Sequence, residues 1–470
     1  MKKLITLFLV TALFVGCEVD ESLNINTKSP STVPADGLFS NAARNMFDLM
    51  NDCNVNNNVL RLYAQYWAQA TYPEESQYNQ VTRNNGGTIW NTLYRDVLQD
   101  LKGAKETLIL EESDDLNNKL GIIEFIEVYA YSILVDTFGD VPYTTALDPT
   151  NPSPTYDDAA AIYQDLFTKL DAAISKMGGG SGFVSSQDPI YGSDMVKWKK
   201  AAYSLKLRMA MRLADSNSSL SKSMAESAVS GAITSNSDNF GIHYLSSDPN
   251  TNPLWVNLVQ SGRNDFLAAN TMVDIMNPLN DPRRSVYFGL KDGEYLGALY
   301  GSANAYSSFS VIGDVFREPD LIGSIITAAE VHFLMAEAAA RGYSVGGTAE
   351  SHYNMGITAS IMEWGGSQED VDTYLAQADV AYSTAQGDWK QKIGTQKWIS
   401  LFNNGMEGWT TWRLLDQPIL NVPAGMSYSD IPTRFLYPVS EATLNGPSYD
   451  AAASAIGGDL KTTKLFWDVN

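Results

Sequence analysis

Residues that most often bind metals or act as nucleophiles are scarce in this sequence. Its 470 residues contain two cysteines, Cys17 and Cys53, and three histidines, His243, His332 and His352. The histidines are far apart, and none has a metal-ligating partner three or four positions further on, which argues against a zinc site. A G-x-S-x-G nucleophile motif, a Walker loop and a dinucleotide-binding fingerprint are also missing. We therefore expect no metal, no cofactor and no catalytic centre of these classes.

Positive charge is the second scarcity. Lysine and arginine together number 32 against 54 aspartates and glutamates, which gives a formal net charge of −22, and the basic residues never cluster. Proteins that bind nucleic acid need basic patches to neutralise phosphates. The composition thus excludes a nucleic-acid partner, and it favours neutral or basic ligands over polyanionic glycans.

Long apolar runs are limited to the start of the chain. Residues 4–15 are apolar except for two threonines and follow two lysines. A membrane-spanning helix needs about 20 such residues, so this run is typical of a signal-peptide core instead. It ends in Val15, Gly16 and Cys17, which resembles the bacterial lipobox, although Phe14 stands where leucine is usual. The resemblance implies cleavage before Cys17 and a lipid on its sulfur; the alternative is an ordinary secretory signal.

The residues after Cys17 point to the cell surface. Glu18, Asp20 and Glu21 resemble the export signal of surface lipoproteins in Bacteroidetes, although a generally acidic chain can also begin this way. We expect residues 1–16 to be a lipoprotein signal peptide and residues 17–37, broken by two prolines, to be a lipid-anchored tether. With Cys17 lipidated, Cys53 has no disulfide partner and is expected to be a packed thiol.

From residue 38 onward the hydrophobic pattern is mostly helical. Leu38, Ala42, Met46 and Leu49 recur at helical spacing, and "GIIEFIEVYAYSILVDTFG" is apolar nearly all round, which predicts a buried central helix. Six tryptophans within helical runs are expected to be core residues: Trp67, Trp90, Trp198, Trp398, Trp409 and Trp412.

Two further features refine this picture. Residues 241–319 are rich in Asn, Gly, Pro, Ser and Tyr, which predicts an irregular insertion with a short hairpin. Ala329, Phe333 and Ala336 match the second helix of a tetratricopeptide repeat, where small residues let paired helices approach closely. His332, beside Phe333 in this apolar helix, is expected to be structural.

Six phrases, in this order, resemble the SusD/RagB family of Bacteroidetes outer-membrane lipoproteins: "DTFGDVPY", "YDDAAAIYQDL", "KWKKAAYSLKLRMAMRL", "AAEVHFLMAEAAARG", "GWTTWRLLD" and "RFLYPVSEATLN". The resemblance implies a mainly α fold over residues 38–470, a single SusD-like domain built on a right-handed tetratricopeptide-like scaffold of about eight helices. It also implies a lipid-anchored, surface-exposed outer-membrane protein without catalytic activity. Such a protein binds a nutrient glycan and delivers it to a SusC-like TonB-dependent transporter, acting as its lid. In the last phrase, Arg434 is expected to pair with an acidic side chain or carbonyls.

Ligand-binding residues have to be sought outside these phrases. Recognition of a glycan needs flat aromatic faces flanked by amides and other polar groups, on loops where helical periodicity does not explain them. Trp255 is the leading candidate because no helical stripe demands a tryptophan after "DPNTNPL". Two stretches, residues 70–87 and the insertion, supply the full set of candidates: Trp255, Tyr72, Tyr78, Asn79, Arg83, Arg263, Asn264, Tyr300, Asn304, Tyr306 and Phe309.

Other functions stay open at this point. The ligand is a neutral oligosaccharide or a peptide, and the helical repeat could also be a scaffold that holds protein partners. An all-helical glycoside hydrolase is a further alternative, because paired carboxylates cannot be excluded by counting. Asp52, Asn54 and Asn56 begin a calcium-loop spacing, but glycine at position six and glutamate at position twelve are missing, so an Asn-rich turn is predicted.

Overall fold

The computed structural model describes residues 33–111 and 113–469. The leader, Cys17 and the acidic residues after it lie outside the described residues. Within the described ranges, the helices are all too short or too polar to cross a membrane. Ala35–Asn470 form one compact unit, and all that follows concerns this unit.

Helices dominate the architecture. In chain order they are α1 (Ala35–Asn51), α2 (Leu60–Tyr63), α3 (Asn85–Asn91), α4 (Gln99–Glu111), α5 (Leu116–Phe138), α6 (Ala159–Lys176), α7 (Met195–Arg212), α8 (Ser218–Ala228), α9 (Pro253–Trp255), α10 (Asn270–Met276), α11 (Arg284–Tyr287), α12 (Ala328–Ala340), α13 (Ala349–Glu363), α14 (Gln368–Leu375), α15 (Trp389–Ser400), α16 (Gly405–Leu415), α17 (Val439–Leu444) and α18 (Gly446–Ala455). Two π-helical turns, Thr92–Leu98 and Val256–Gln260, continue α3 and α9.

Among the described residues, eight of the longer helices pack as four pairs, each made of two helices that follow one another in the chain. The pairs are α5 with α6, α7 with α8, α12 with α13, and α15 with α16, while α1 packs against α4. This mainly α arrangement of about eight paired helices is the fold that the sequence predicts. The match with the second helix of a tetratricopeptide repeat is wrong in one respect, because the matching helix is the first of its pair. The helix that carries Ala329, Phe333 and Ala336, α12, follows a strand and pairs with the helix after it.

The predicted central helix is α5. Eighteen of its residues, from Asn118 to Phe138, are buried, in line with a sequence that is apolar nearly all round. It ends where Gly139 takes a φ of +89°, a conformation that favours glycine. The Gly139 amide still donates to the carbonyl of Val135 at 2.9 Å.

Two of the shared phrases meet at this helix end. Arg434 donates from Nε and Nη2 to the carbonyl of Phe138, at 3.1 and 2.9 Å, and pairs with Asp459 at 2.6 Å. The expected role of Arg434 is confirmed: it pairs with an acidic side chain and binds the carbonyl oxygen of Phe138, which has no helical partner at the end of α5.

The described residues contain six short strands, which form three two-stranded antiparallel sheets. They are β1 (Trp67–Gln69), β2 (Val141–Pro142), β3 (Tyr156–Asp157), β4 (Phe240–Ile242), β5 (Phe266–Ala268) and β6 (Gly323–Ile326). The pairs are β1 with β5, β2 with β3, and β4 with β6. Residues 241–319 otherwise contain only short elements, and the expected hairpin is limited to the bridge between Lys291 and Glu294.

The other predictions about the core are confirmed. All six tryptophans are buried, although Trp67 lies on strand β1 and not, as the sequence pattern predicted, on a helix. Cys53 and His332 are buried as well, and His332 Nε2 lies 3.3 Å from the carbonyl of Thr234. The segment after α1 is the predicted Asn-rich turn, in which Asp52 Oδ1 accepts from the amides of Cys53 and Asn54.

A buried ionic network ties the helix pairs together. Arg208 and Arg212, four residues apart on α7, project from one face of that helix. Arg208 pairs with Glu330 of α12 at 2.6 Å. Arg212 pairs with Glu407 of α16 at 2.6 Å and with Asp136 of α5 at 3.1 Å. Through these ion pairs, α7 is connected to one helix of each of the other three helix pairs.

Candidate functional site

Three loops meet at one end of the β1–β5 ribbon. Trp67, Ala68 and Gln69 pair with Ala268, Leu267 and Phe266, and the ribbon continues as the Ala70 amide donates to the carbonyl of Asp265 at 2.8 Å. The amide of Asn304 then donates to the carbonyl of Ala70 at 2.6 Å. We call residues 70–83, 255–265 and 299–309 the loop surface. Candidates that are far apart in sequence are thus brought together here.

Asn304 holds this surface in shape. Its Nδ2 donates to the carbonyls of Gln69, Leu299 and Ser302 at 2.8–3.0 Å, and its Oδ1 accepts from the Leu299 amide at 3.0 Å. The side chain is therefore occupied by the backbone of two loops. Its role is to position the loop that carries Tyr306 and Phe309.

Arg317 joins that loop to the segment after Trp255. It donates to the hydroxyl of Tyr306 at 3.1 Å and to the carbonyl of Leu258 at 3.3 Å. Tyr306 and Phe309 are half-buried and pack against the main core with part of each ring. Their remaining faces belong to the loop surface.

Trp255 lies on a short helical turn that is capped at its N-terminus. The side chain of Asn252 caps α9 by accepting from the Leu254 amide at 2.8 Å, and Leu254 is buried. Trp255 itself is half-buried, and among the described residues it belongs to neither hydrophobic cluster. A tryptophan ring that the core does not use is available to a ligand.

The first loop offers one aromatic platform and two positioning groups. Tyr72 is 61% exposed. Asn79 Oδ1 accepts from the amides of Val81 and Thr82, both at 3.1 Å, and so closes the turn. Arg83 pairs with buried Glu75 and donates to Asn56 Oδ1 at 3.0 Å. Asn79 and Arg83 therefore support the loop rather than stand free on it.

Arg263 and Asn264 are the exposed polar candidates. The Arg263 side chain is 62% exposed and pairs with Asp265 at 2.6 Å. Asn264 is exposed beside it, at the end of the β1–β5 ribbon. Both lie next to the residue that binds the backbone of Ala70, and hence close to the start of the Tyr72 loop.

Tyr78 and Tyr300 require a correction, because neither presents a face to solvent. Tyr78 packs edge-on against Tyr63 and accepts from Gln65 Nε2 at 3.0 Å. Burial raises the pKa of Tyr78 to about 12. Tyr300 donates to the carbonyl of Leu62 at 2.7 Å. These two rings are core packing beneath the loops.

Sequence reasoning missed the groove beside Trp255. It has a volume of about 430 Å³ and is bordered by α1, the Asn-rich turn and the π-helical turn after Trp255. Asn257 Nδ2 donates to Asp52 Oδ1 at 2.8 Å across it. Burial raises the pKa of Asp52, while hydrogen bonds from Asn54, Asn57 and the Cys53 amide act in the opposite direction. No local pattern could reveal this groove, because Asp52 and Asn257 are 205 residues apart.

The carboxylates at the groove are engaged in structural contacts. Asp48 accepts from the hydroxyl of Tyr244 at 2.7 Å and pairs with Arg44 at 3.1 Å. Across the described residues, histidine, cysteine and carboxylate side chains do not gather in the groups of three or more that a metal ion needs. The chemistry on offer at the loop surface is aromatic stacking and hydrogen bonding.

A family model described as SusD-like, starch-binding and associating with the outer membrane, matches residues 26–438. The chain belongs to the SusD-like family. A comparison with curated protein sequences gives no match.

Solved structures agree with this assignment. The SusD-like chain is similar to a chitin-binding SusD homolog from Flavobacterium johnsoniae, with 27% identity, a TM-score of 0.79, and coverage of 92% of this chain and 99% of that one. A second chitin-binding protein has 26% identity and a TM-score of 0.81 over 93% of this chain and 100% of its own. A SusD homolog from Bacteroides ovatus has 27% identity and a TM-score of 0.78 over 92% and 99%. The family and two of these neighbours are described as binding proteins.

Proposed function

We propose that this SusD-like protein is a non-catalytic glycan-binding lipoprotein of the outer-membrane surface. It captures a neutral oligosaccharide and delivers it to a SusC-like TonB-dependent transporter, for which it acts as a lid. The lipid on Cys17 is its only attachment to the membrane.

The single observation that carries the ligand class is the loop surface. Exposed Tyr72 and the available ring of Trp255 offer flat apolar faces, and exposed Asn264 and Arg263 offer hydrogen-bond donors beside them. Sugars present C–H faces and hydroxyl groups, which such a mixture binds. The net charge of −22 supports an uncharged ligand over a polyanion.

Affinity electrophoresis against neutral polysaccharides, with chitin- and starch-derived polymers first, tests this function. The same mixtures are assayed for new reducing ends, and a peptide digest is added as competitor. Retardation by a polysaccharide without new reducing ends is the expected result. New reducing ends would make the protein a glycoside hydrolase, and release by the peptide digest would make it a peptide-binding lid.

A further inference from the structure

A second cavity lies away from the loop surface. It is bounded by the first half of α1, by residues 185–192 and by residues 237–250, and we call it the α1 cleft. Its volume is about 780 Å³. Sites for small ligands usually measure about 300–1,000 Å³, so the α1 cleft is large enough for several sugar units.

The walls of the α1 cleft are fixed by buried hydrogen bonds. The carboxylate of buried Asp188 accepts from the amides of Ile190, Tyr191 and Ser193 and, at 2.8 Å, from Nε1 of Trp198. These contacts hold the 185–192 loop in one conformation. The amide of His243 donates to the carbonyl of Pro189 at 2.9 Å and joins the two loop walls. The cavity is therefore preformed.

The charged side chains of the α1 cleft are held by other groups of the protein. Arg44 binds Asp48 at 3.1 Å and the carbonyl of Pro249 at 2.6 Å. Lys197 Nζ donates to the carbonyl of Ser237 at 2.7 Å. The carboxylate of Asp188 is filled by the four donors above. Arg44 and Asp188 are therefore satisfied by groups of the protein itself, and an uncharged ligand can bind while all of these contacts stay in place.

What remains at the surface of the cleft suits a sugar chain. Ser185, Ser186 and Gln187 are exposed and offer hydroxyls and an amide. Leu245 is 54% exposed, and the half-buried ring of Tyr191 lies nearby on the lining. Hydroxyls, an amide and small apolar faces are the groups that bind uncharged polyhydroxylated ligands.

We propose that the α1 cleft is a second saccharide-binding site, which takes an uncharged oligosaccharide independently of the loop surface. The α1 cleft is separate from the groove beside Trp255. Arg44 lines both cavities, Pro249 lines the groove, and the hydrogen bond between these two residues forms the boundary. The inference rests on the proposed glycan-binding function for its ligand class.

Calorimetry with five proteins tests the proposal: the unmodified chain, a background protein and three variants of that background. All begin at Glu18, which keeps the whole unit Ala35–Asn470. The probes are N-acetylchitohexaose and maltohexaose. The background protein carries Tyr72→Ala and Trp255→Ala, which remove the aromatic faces of the loop surface. Three further proteins each carry one additional substitution in this background. Leu245→Asp lies at the mouth of the cleft, Asn250→Ala is a second cleft variant, and Leu444→Asp is the matched control. Leu444 is 74% exposed at the end of α17 and lines neither cavity.

The expected result is saccharide binding that persists in the background protein and in the Leu444→Asp control. Leu245→Asp and Asn250→Ala should each weaken it by about tenfold or more, with unchanged melting temperature. Loss of all binding in the background protein, while the unmodified chain binds, would overturn the second site and leave the proposed function intact. Equal affinities in the cleft and control variants would overturn it as well. Failure of the unmodified chain to bind either probe would overturn both.

Discussion

Arg212 on α7 and Glu407 on α16 form a 2.6 Å ion pair at the centre of the helical stack, and both side chains are almost completely buried. Arg208 lies 3.7 Å from the same carboxylate. A buried charge that loses its partner is costly, because neither water nor an opposite charge replaces it. The stability of the scaffold therefore depends on this carboxylate.

Replacing Glu407 with glutamine should lower the free energy of unfolding by about 3–5 kcal/mol, because two buried arginines lose their shared partner. Urea unfolding at neutral pH measures the change. The control is Glu106→Gln, whose carboxylate pairs with Lys102 at the surface of α4 and is 63% exposed. That variant should stay within about 0.5 kcal/mol of the original chain. Equal losses in the two variants would contradict the prediction.

The same pair predicts an acid-dependent loss of stability. Burial alone would raise the pKa of Glu407, but Arg208 and Arg212 hold it at about 2. An unfolded glutamate has a pKa of about 4.3. A carboxyl whose pKa is depressed in the folded state stabilises it above the unfolded pKa, and this contribution is lost as pH falls toward the folded value. Urea unfolding of the original chain and Glu407→Gln should show a constant stability difference above about pH 5 that shrinks below about pH 4. A difference that stays constant to about pH 3 would refute this.

The pairing of α12 with α13 depends on Gly356. A Cβ atom there would lie 2.9–3.0 Å from three ring atoms of Phe333, which is fully buried. Gly356→Ala gains up to about 1 kcal/mol of helix propensity but overpacks the interface by about 1–3 kcal/mol. A lower melting temperature is therefore expected. Gly446→Ala is the control, because open space surrounds that position, and it should not lower the melting temperature.

Trp255→Ala should weaken binding of the preferred glycan by about 1–3 kcal/mol, because a central aromatic platform is lost. The melting temperature should change little, since the ring is part of neither hydrophobic cluster among the described residues. Calorimetry and thermal unfolding check the two statements. Trp389, which lies under Arg341 in the helical stack, supplies the control: Trp389→Ala should reduce stability and leave affinity unchanged. Unfolding or unaltered affinity of Trp255→Ala would remove Trp255 from the site.

Cys17→Ala should abolish incorporation of labelled palmitate and release the protein from the membrane fraction. Cys53→Ala is the matched control, because Cys53 is a buried free thiol, and it should leave both labelling and membrane retention unchanged. A membrane-retained, labelled Cys17→Ala protein would disprove the anchor.

Helical periodicity in the sequence predicts correctly which tryptophans are buried. It gives no such prediction for the aromatic residues of the loops. Trp198 and Trp409 stand in helical runs, so their burial could be predicted from spacing alone. Tyr300 has no such pattern around it, and its burial depends on a hydrogen bond to Leu62, 238 residues earlier in the chain. Long-range contacts of this kind decide which loop aromatics face solvent, and a single sequence does not reveal them.

The candidate site was predicted in part for the same reason. Loop position was enough to select Tyr72, which is exposed, and Trp255, which the core leaves available. It could not show that Asn304 and Arg83 would be engaged by neighbouring loops. The groove beside Trp255 was missed because α1, whose pattern is that of an ordinary core-facing helix, supplies one of its walls.

The four hydrogen bonds of the Asn304 side chain affect how the ligand preference of this protein can change by mutation. These bonds fix the loop through contacts within the protein, so ligand binding costs little free energy for ordering that loop. Selectivity then depends on which side chains decorate a fixed backbone, and a change at position 72, 255 or 264 alters preference without disturbing the helices beneath. New ligand preferences can therefore arise by single substitutions, whereas loss of Asn304 would affect every ligand alike.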